Sequence, residues 1–354
     1  EYEDSWRELR RYAGVNRNLE HPGIIWVGGI DVSYTDDRNY GDDPRKFKQA
    51  DGWLGHTIRL DERPADQTAA RKVLVPAVRI LERDWVDRPY VAADTNVGFH
   101  DLTDYMASVT FQKIKNYKTS YLFRMGEVEN VPSGPSLKLT GGYEDGEFND
   151  RTFGFLEGTW YSVRNRGDIV GVMTAFGGYF RDHRFEDGLV DIKSLYISPL
   201  FGKGKFRHRF YSRLEYLKGI NRWRSEGLTL GDRTGLRELD NNRVEGDQRL
   251  LARMESHVFT PWKVLGFHFM FFGFLDTGTV GGEDDPILKG KWYASGGLGL
   301  RLNNPDLVLE TFQIRASLVN NIEDQGATFA LSLGNPDYPP LAVPGVKPGL
   351  VGYQ

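Results

Sequence analysis

The chain has 354 residues, with 45 Lys and Arg against 49 Asp and Glu and a net charge of −4; its pI near 6.0 offers no basic surface to recommend nucleic acid as a partner. A mean hydropathy of −0.48 excludes a helical membrane protein but not a barrel, whose strands alternate and whose loops are polar. Cysteine is absent, which removes disulfides, thiolate metal sites and cysteine nucleophiles together.

The opening EYEDSWRELR carries no apolar signal core, so a mature chain or a piece of a longer one is expected. Residues 4–18, with Trp6, Leu9 and Tyr12 near helical spacing, read as a short helix, and residues 1–22 as an N-terminal periplasmic segment. From residue 24 the text changes character. Trp26, Gly28, Ile30, Val32 and Tyr34 alternate with Val27, Gly29, Asp31 and Ser33, and a long polar loop follows. Further candidate strands are 53–60, 73–81, 90–99, 105–114, 120–128, 136–144, 152–163, 169–180, 190–198 and 206–217. In the last of these Arg207, Arg209, Tyr211, Arg213 and Glu215 share one face, opposite Phe206, Phe210, Leu214 and Tyr216.

Residues 235–278 hold a loop followed by two long alternating strands. Arg249, Leu251, Arg253, Glu255 and His257 fall on one face, and Leu250, Ala252, Met254, Ser256 and Val258 on the other. A membrane barrel would turn the apolar face to lipid and keep the Arg and Glu face in a wet lumen. The longest apolar run, 264–275, is broken by His268 and is too short for a spanning helix. Candidate strands 292–302, 307–318 and 327–333 close the series and bring it to about sixteen, an even number.

Short turns are expected near 165–167, 201–205, 260–265 and 303–306, alternating with longer loops at 145–150, 181–188, 218–247 and 278–290. That sorting fits periplasmic turns and outer loops. The expected fold is all-β: a transmembrane antiparallel β-barrel of about sixteen strands, of the outer-membrane type, over residues 23–334. A Pro/Gly-rich periplasmic tail is expected over 335–354.

Residues 120–333, most clearly from Phe206 on, resemble the bacterial surface antigen superfamily of outer-membrane assembly and translocation barrels. That superfamily includes the barrel-assembly insertase, its translocation-assembly relative and the two-partner secretion transporters. There, a long loop between the eleventh and twelfth of sixteen strands carries Arg-Gly-aromatic, and the thirteenth strand carries Phe-x-Asp-x-Gly. Here 218–247 falls in that interval, and Phe274, Asp276 and Gly278 supply the second motif. Gly235-Leu236-Arg237 is followed by Glu238 and Leu239 where Gly and an aromatic are the family pattern. Gln325 to Leu331 resembles the signal by which barrels are recognised for assembly, and GFHFMFFGFLDTG and TFQIR look like the Bacteroidota versions. Family insertases also carry polypeptide-transport-associated domains, for which the residues before the first expected strand are too few.

The resemblance implies that Arg237 folds into the lumen and meets Asp276 and Glu255. It also implies a weak seam between first and last strands, here Trp26, Gly28 and Ile30 against Phe329 and Leu331, that offers backbone groups to a client strand. The implied function is assisting insertion or translocation of unfolded β-rich clients at the outer membrane of a Gram-negative bacterium. Outer-membrane lipid and lipopolysaccharide, and periplasmic or lipoprotein subunits, would be its partners. A scaffolding barrel subunit and a passive pore are the alternatives.

Catalytic patterns are missing: there is no Gly-x-Ser-x-Gly, no His-Glu-x-x-His and no phosphate loop, GKGKF at 202–206 lacking the spacing. His208 and His268 stand isolated and His257 has no nucleophile beside it, so structural histidines are expected. The acidic runs 145–150 and 283–285 read as solvated loops rather than calcium sites. No enzyme activity, cofactor or metal is expected.

Overall fold

The computed structural model describes residues 2–4, 8–19, 23–37, 45–61, 70–202, 204–222, 227–231, 235–239, 244–304, 311–320, 327–334, 341 and 343–353. In chain order its strands are β1 (Tyr2–Asp4), β2 (Glu8–Arg17), β3 (Trp26–Asp37), β4 (Arg45–His56), β5 (Ile58–Arg59), β6 (Arg71–Asp87), β7 (Leu102–Ser120), β8 (Val128–Gly146), β9 (Arg151–Val163) and β10 (Ile169–Arg181). They continue as β11 (Arg184–Ile197), β12 (Arg207–Ile220), β13 (Leu228–Thr229), β14 (Glu245–Gly246), β15 (Gln248–Val264), β16 (Phe267–Gly281), β17 (Tyr293–Asn303), β18 (Thr311–Asn320) and β19 (Ala327–Gly334).

Seventeen of these form one antiparallel sheet, and β13 with β14 makes a separate two-stranded ribbon. Because β4 and β5 lie end to end along β6, the seventeen strands make sixteen staves. The connection between β12 and β15 is therefore the one between the eleventh and twelfth staves, and β16 is the thirteenth. The rim that carries this connection is called the upper rim below.

Period-two alternation sorts the two faces. Leu298, Ile30 and Leu331 point outward at 72, 71 and 69% exposure, while Ser295, Arg301 and Gln313 on the opposite face are buried. A polar inside and an apolar outside is the pattern of a barrel in lipid, and a water-soluble sheet would cover such a face. Aromatic side chains mark both ends of the apolar band, with Trp26, Trp160 and Trp262 toward the lower rim and Tyr143, Phe180 and Trp292 toward the upper. No helix among the described residues is long and apolar enough to cross a membrane. The protein is an all-β transmembrane barrel of the outer-membrane type.

The structure corrects several sequence expectations. Residues 8–17 are strand β2 rather than part of a helix: Tyr12 and Asn16 both reach Asp31 of β3, and Val15 points outward. Gly14, Val15 and Asn16 are weak helix formers, and the sheet supplies partners that an isolated helix lacks. Residues 90–99 form a loop with a short 3-10 turn at Val97–Phe99, consistent with Asp94 and Asn96 as turn residues, Asn96 having φ of 52°. Residues 120–128 are mostly a connection whose apolar side chains turn inward, burying Leu122 and Met125. The expected long loop at 181–188 is a two-residue turn, Asp182 and His183, both with positive φ, as a tight hairpin needs. The turn expected at 260–265 lies at Leu265 and Gly266 for the same reason. Two false strands and the two missed at the N-terminus offset one another, which is why the expected number stands while its start does not.

The largest correction concerns the C-terminus. Residues 343–353 are not a segment beyond the barrel but lie against its inner wall. Val346 is buried with Val27, Trp53, Val73 and Val75, and Val351 and Tyr353 pack on the upper cluster around Phe153, Phe155 and Tyr179. Pro and Gly give the segment no helix to form, and an extended strip with free carbonyls suits a narrow polar channel.

Candidate functional site

The connection from β12 to β15 turns into the lumen. The β13–β14 ribbon starts it, and Leu230, Leu236 and Leu239 then bury themselves against Leu251, Tyr293 and Val319. Each leucine so buried contributes about 1.5–3 kcal/mol toward holding the loop down. Two glycines permit the close approach. A Cβ on Gly235 would lie 2.6 Å from the Leu230 carbonyl oxygen, and one on Gly278 would lie 2.5 Å from the Leu251 side chain.

This docking delivers Arg237 to β15 and β16. Its Nε and one terminal nitrogen donate to the two oxygens of Asp276, each at 2.6 Å, in the two-pronged geometry that suits a guanidinium and a carboxylate. Its other terminal nitrogen donates to Glu255 Oε1. The guanidinium carbon sits 4.1 Å from the Phe274 ring centroid, so the motif aromatic is the floor under the cation. Burial alone would lower the Arg237 pKa, but hydrogen bonds and charge from Asp276 and then Glu255 outweigh it and hold the group above its ordinary value.

The cluster extends beyond these three residues. Glu255 Oε2 faces His257 Nε2 at 2.5 Å and Arg301 at 3.1 Å. The same His257 nitrogen also lies 3.1 Å from an Arg301 terminal nitrogen, so the ring sits between the carboxylate and the guanidinium. Arg301 also donates to Gln313 at 3.0 Å and lies 4.2 Å over Phe272. Two arginines thus balance two carboxylates in a nearly water-free site, which offsets the several kcal/mol that each buried ion costs.

Glu238 and Leu239, the departures from the family pattern, have their own settings. Glu238 takes φ of 63°, a conformation natural to glycine, and its carboxylate accepts from Arg315 Nε on β18. Leu239 is buried in the leucine cluster. Sequence reading missed the Glu238–Arg315 pair and the parts of Arg301 and Gln313. The inward faces of β17 and β18 were the available signal.

The seam residues are placed differently from expectation. Trp26, Gly28 and Ile30 belong to β3, which pairs with β2 on one side and β4 on the other, so they are not at an edge. Phe329 and Leu331 belong to β19 and pair with Leu318 and Ala316 of β18. The N-terminal strand pair had displaced the first stave.

Two more occupants complete the lumen. Residues 121–126 fold in from the lower rim, where Arg209 donates to the Tyr121 carbonyl at 2.8 Å and Tyr211 to that of Leu122. The C-terminal segment rises along the opposite wall to the upper rim, where the Tyr353 hydroxyl donates to the Asp247 carbonyl at 2.9 Å and Arg222 covers its ring at 4.0 Å. Arg222 and Asp247 flank the loop that carries Arg237. Among the described residues no group of His, Asp and Glu is arranged to hold a metal ion.

No protein-family description and no curated protein matches the chain. Among solved structures it is similar to CdiB from Acinetobacter baumannii, at 11% identity over 92% of this chain and 56% of that one, with a TM-score of 0.46. BamA from Haemophilus ducreyi lacking POTRA domains 1–3 gives 10% identity, 92 and 68% coverage and a TM-score of 0.47. CdiB from Escherichia coli gives 11%, 93 and 62%, and 0.43. The chain spans little more than half the length of the first of these. At such identities and scores the likeness is to shape, and the function must be argued from the lumen and the staves.

Proposed function

We propose that the chain is an outer-membrane barrel of a Gram-negative bacterium, of the surface antigen type, that helps insert or translocate β-rich client proteins without hydrolysis. The observation that carries this reading is the docked loop. The connection between the eleventh and twelfth staves places Arg237 on the Phe-x-Asp-x-Gly strand, which is the thirteenth. On this reading the upper rim is extracellular, lipid and lipopolysaccharide surround the band, and clients and periplasmic or lipoprotein subunits meet the lower rim.

Clients would engage the sheet where the chain's first and last strands lie, now β1 and β2 with β19 rather than β3. A three-residue β1 and an eight-residue β19 present few ladder bonds, so backbone groups there are the cheapest to expose. The chain has no cysteine, so paired cysteines can be introduced without background. Oxidising a cysteine at Val15 or Ala13 to one at Leu331 should abolish assembly of clients in cells where the protein is required. Undiminished assembly with the cross-link formed would sink the mechanism.

The filled lumen favours a second reading over a pore: a scaffold whose loops hold partner subunits. Depletion followed by outer-membrane proteomics separates the two, since loss of an assembly factor lowers many barrels and loss of a scaffold lowers only its own complex. Steady conductance in planar bilayers would favour the pore.

A further inference from the structure

Residues 343–353 are held as a ligand is held in a site. Going up the wall, Gln112 Nε2 donates to the Pro344 carbonyl at 2.9 Å and an Arg79 terminal nitrogen donates to the Pro348 carbonyl at 2.9 Å. Between them Lys347 Nζ lies 2.7 Å from Asp51 and 3.7 Å from Asp31. Beside that lysine, Val346 fills an apolar pocket closed by Trp53 and Val75. Two of the four holds address carbonyls, which every polypeptide has at every residue. Only the lysine and the valine read side chains.

The wall has more capacity than the segment uses. On β7 and β8, next to Gln112, Ser108 and Thr110 face Thr140 and Lys138 across the strand pair, and Ser136 faces Gln112. Ser108, Thr110, Ser136 and Thr140 are more than nine-tenths buried, and among the described residues their hydroxyls have no hydrogen-bond partner. Polar groups in such a setting are ordinarily satisfied, and a row of hydroxyls on an inward face can bond the donors and acceptors of an extended backbone.

We propose that the inner wall of β3, β4, β6, β7 and β8 is a binding track for an extended polypeptide bearing a lysine next to a small aliphatic residue. The C-terminal segment occupies it in cis, and a peptide in trans takes it once that segment is released. The track is separate from the seam and does not depend on how clients enter the sheet. Tethering gives the cis segment an effective concentration on the order of millimolar, so a free peptide of ordinary affinity competes only after the tether is cut.

The test uses the full chain with a site-specific protease sequence inserted directly after Gly334, cut after folding and purification in mild detergent. The probe is a fluorescent synthetic peptide of residues 341–354, read by anisotropy. Expected are saturable binding to the cut barrel, none to the uncut one, three- to fivefold weaker binding of the peptide with Lys347→Ala, and at least tenfold weaker binding of a scrambled peptide. Asp51→Asn in the barrel should weaken the native peptide to a similar degree; the peptide variants decide the matter if that barrel does not fold. Equal binding of the native and Lys347→Ala peptides overturns the proposal. So does a cut segment that excess labelled peptide fails to replace within a day. Neither result touches the seam, which is tested in cells on client assembly.

Discussion

Arg237 reaches its wall with a guanidinium that meets two carboxylates on adjacent strands, whereas Lys347 reaches the opposite wall with an amine that shares Asp51 with Arg79. The difference lies in what is left when each contact is removed. Without Arg237 or its partners a buried charge is stranded. Without Lys347, Asp51 keeps both of its hydrogen bonds from Arg79, at 2.8 and 2.7 Å. One occupant of the lumen is locked by electrostatics and the other is seated by contacts that can be exchanged.

The largest effect is expected at Asp276. Asp276→Ala leaves Arg237 with Glu255 alone and should cost about 3–5 kcal/mol in urea unfolding of the detergent-solubilised barrel. A change within about 0.5 kcal/mol would mean that the loop is not held by this pair and would erase the contrast. Next is Glu238. Glu238→Ala loses the Arg315 pair while keeping a side chain at positive φ, whereas Glu238→Gly loses the pair but relaxes the backbone. The glycine variant should therefore be the more stable of the two by about 1 kcal/mol, measured in the same way.

Lys347→Ala should lower global stability by less than about 1 kcal/mol, as expected for a partly exposed amine whose carboxylate keeps another partner. Its effect belongs instead to the end of the segment. A cysteine at Tyr353 should be alkylated markedly faster when Lys347 is also alanine, and equal rates would argue that the segment is fixed independently of the lysine.

The smallest effect is a pH dependence at the upper rim. There Glu147 takes hydrogen bonds from Arg88 at 2.6 and 2.8 Å, and these, with the Arg88 charge, hold its carboxyl below the usual range. A depressed carboxylate pKa contributes stability that is complete above the ordinary value of about 4.3 and is lost as pH falls through the lowered one. Protease cutting of residues 88–101 should accelerate in that acid window. Glu147→Gln should cut faster near neutral pH and lose most of the acid dependence.

What the sequence makes legible follows from period two. From β8 onward, alternation on staves such as β12, β15 and β17 is enough to say which side chains face the lumen, because lipid and water select opposite residues. It fails at 120–128, where apolar residues serve an inward-turned loop, and at 90–99, a loop that leaves Tyr90 81% exposed, and in neither do they form a lipid face. It fails again at 8–17, where Trp6, Leu9 and Tyr12 at every third position have the spacing of a helix and not of a strand. At the candidate site, Glu255 and Asp276 can be placed on inward faces from their own strands. The partnership of Glu238 with Arg315 cannot, since it joins a loop to a stave 77 residues away. The C-terminal segment was illegible for a different reason: Pro344, Gly345, Pro348 and Gly349 announce the absence of regular structure and say nothing of where an extended chain will lie.

That segment also constrains the order in which the barrel can be made. It follows β19 and reaches the far rim, with Tyr353 on the Asp247 carbonyl. A cylinder that closed first would have to admit residues 343–353 through a bore already narrowed by Leu122, Met125 and the leucines of the docked loop. The segment is more easily laid along β3 to β7 while the sheet is still a curved trough, so that the later staves wrap around it as around a mandrel.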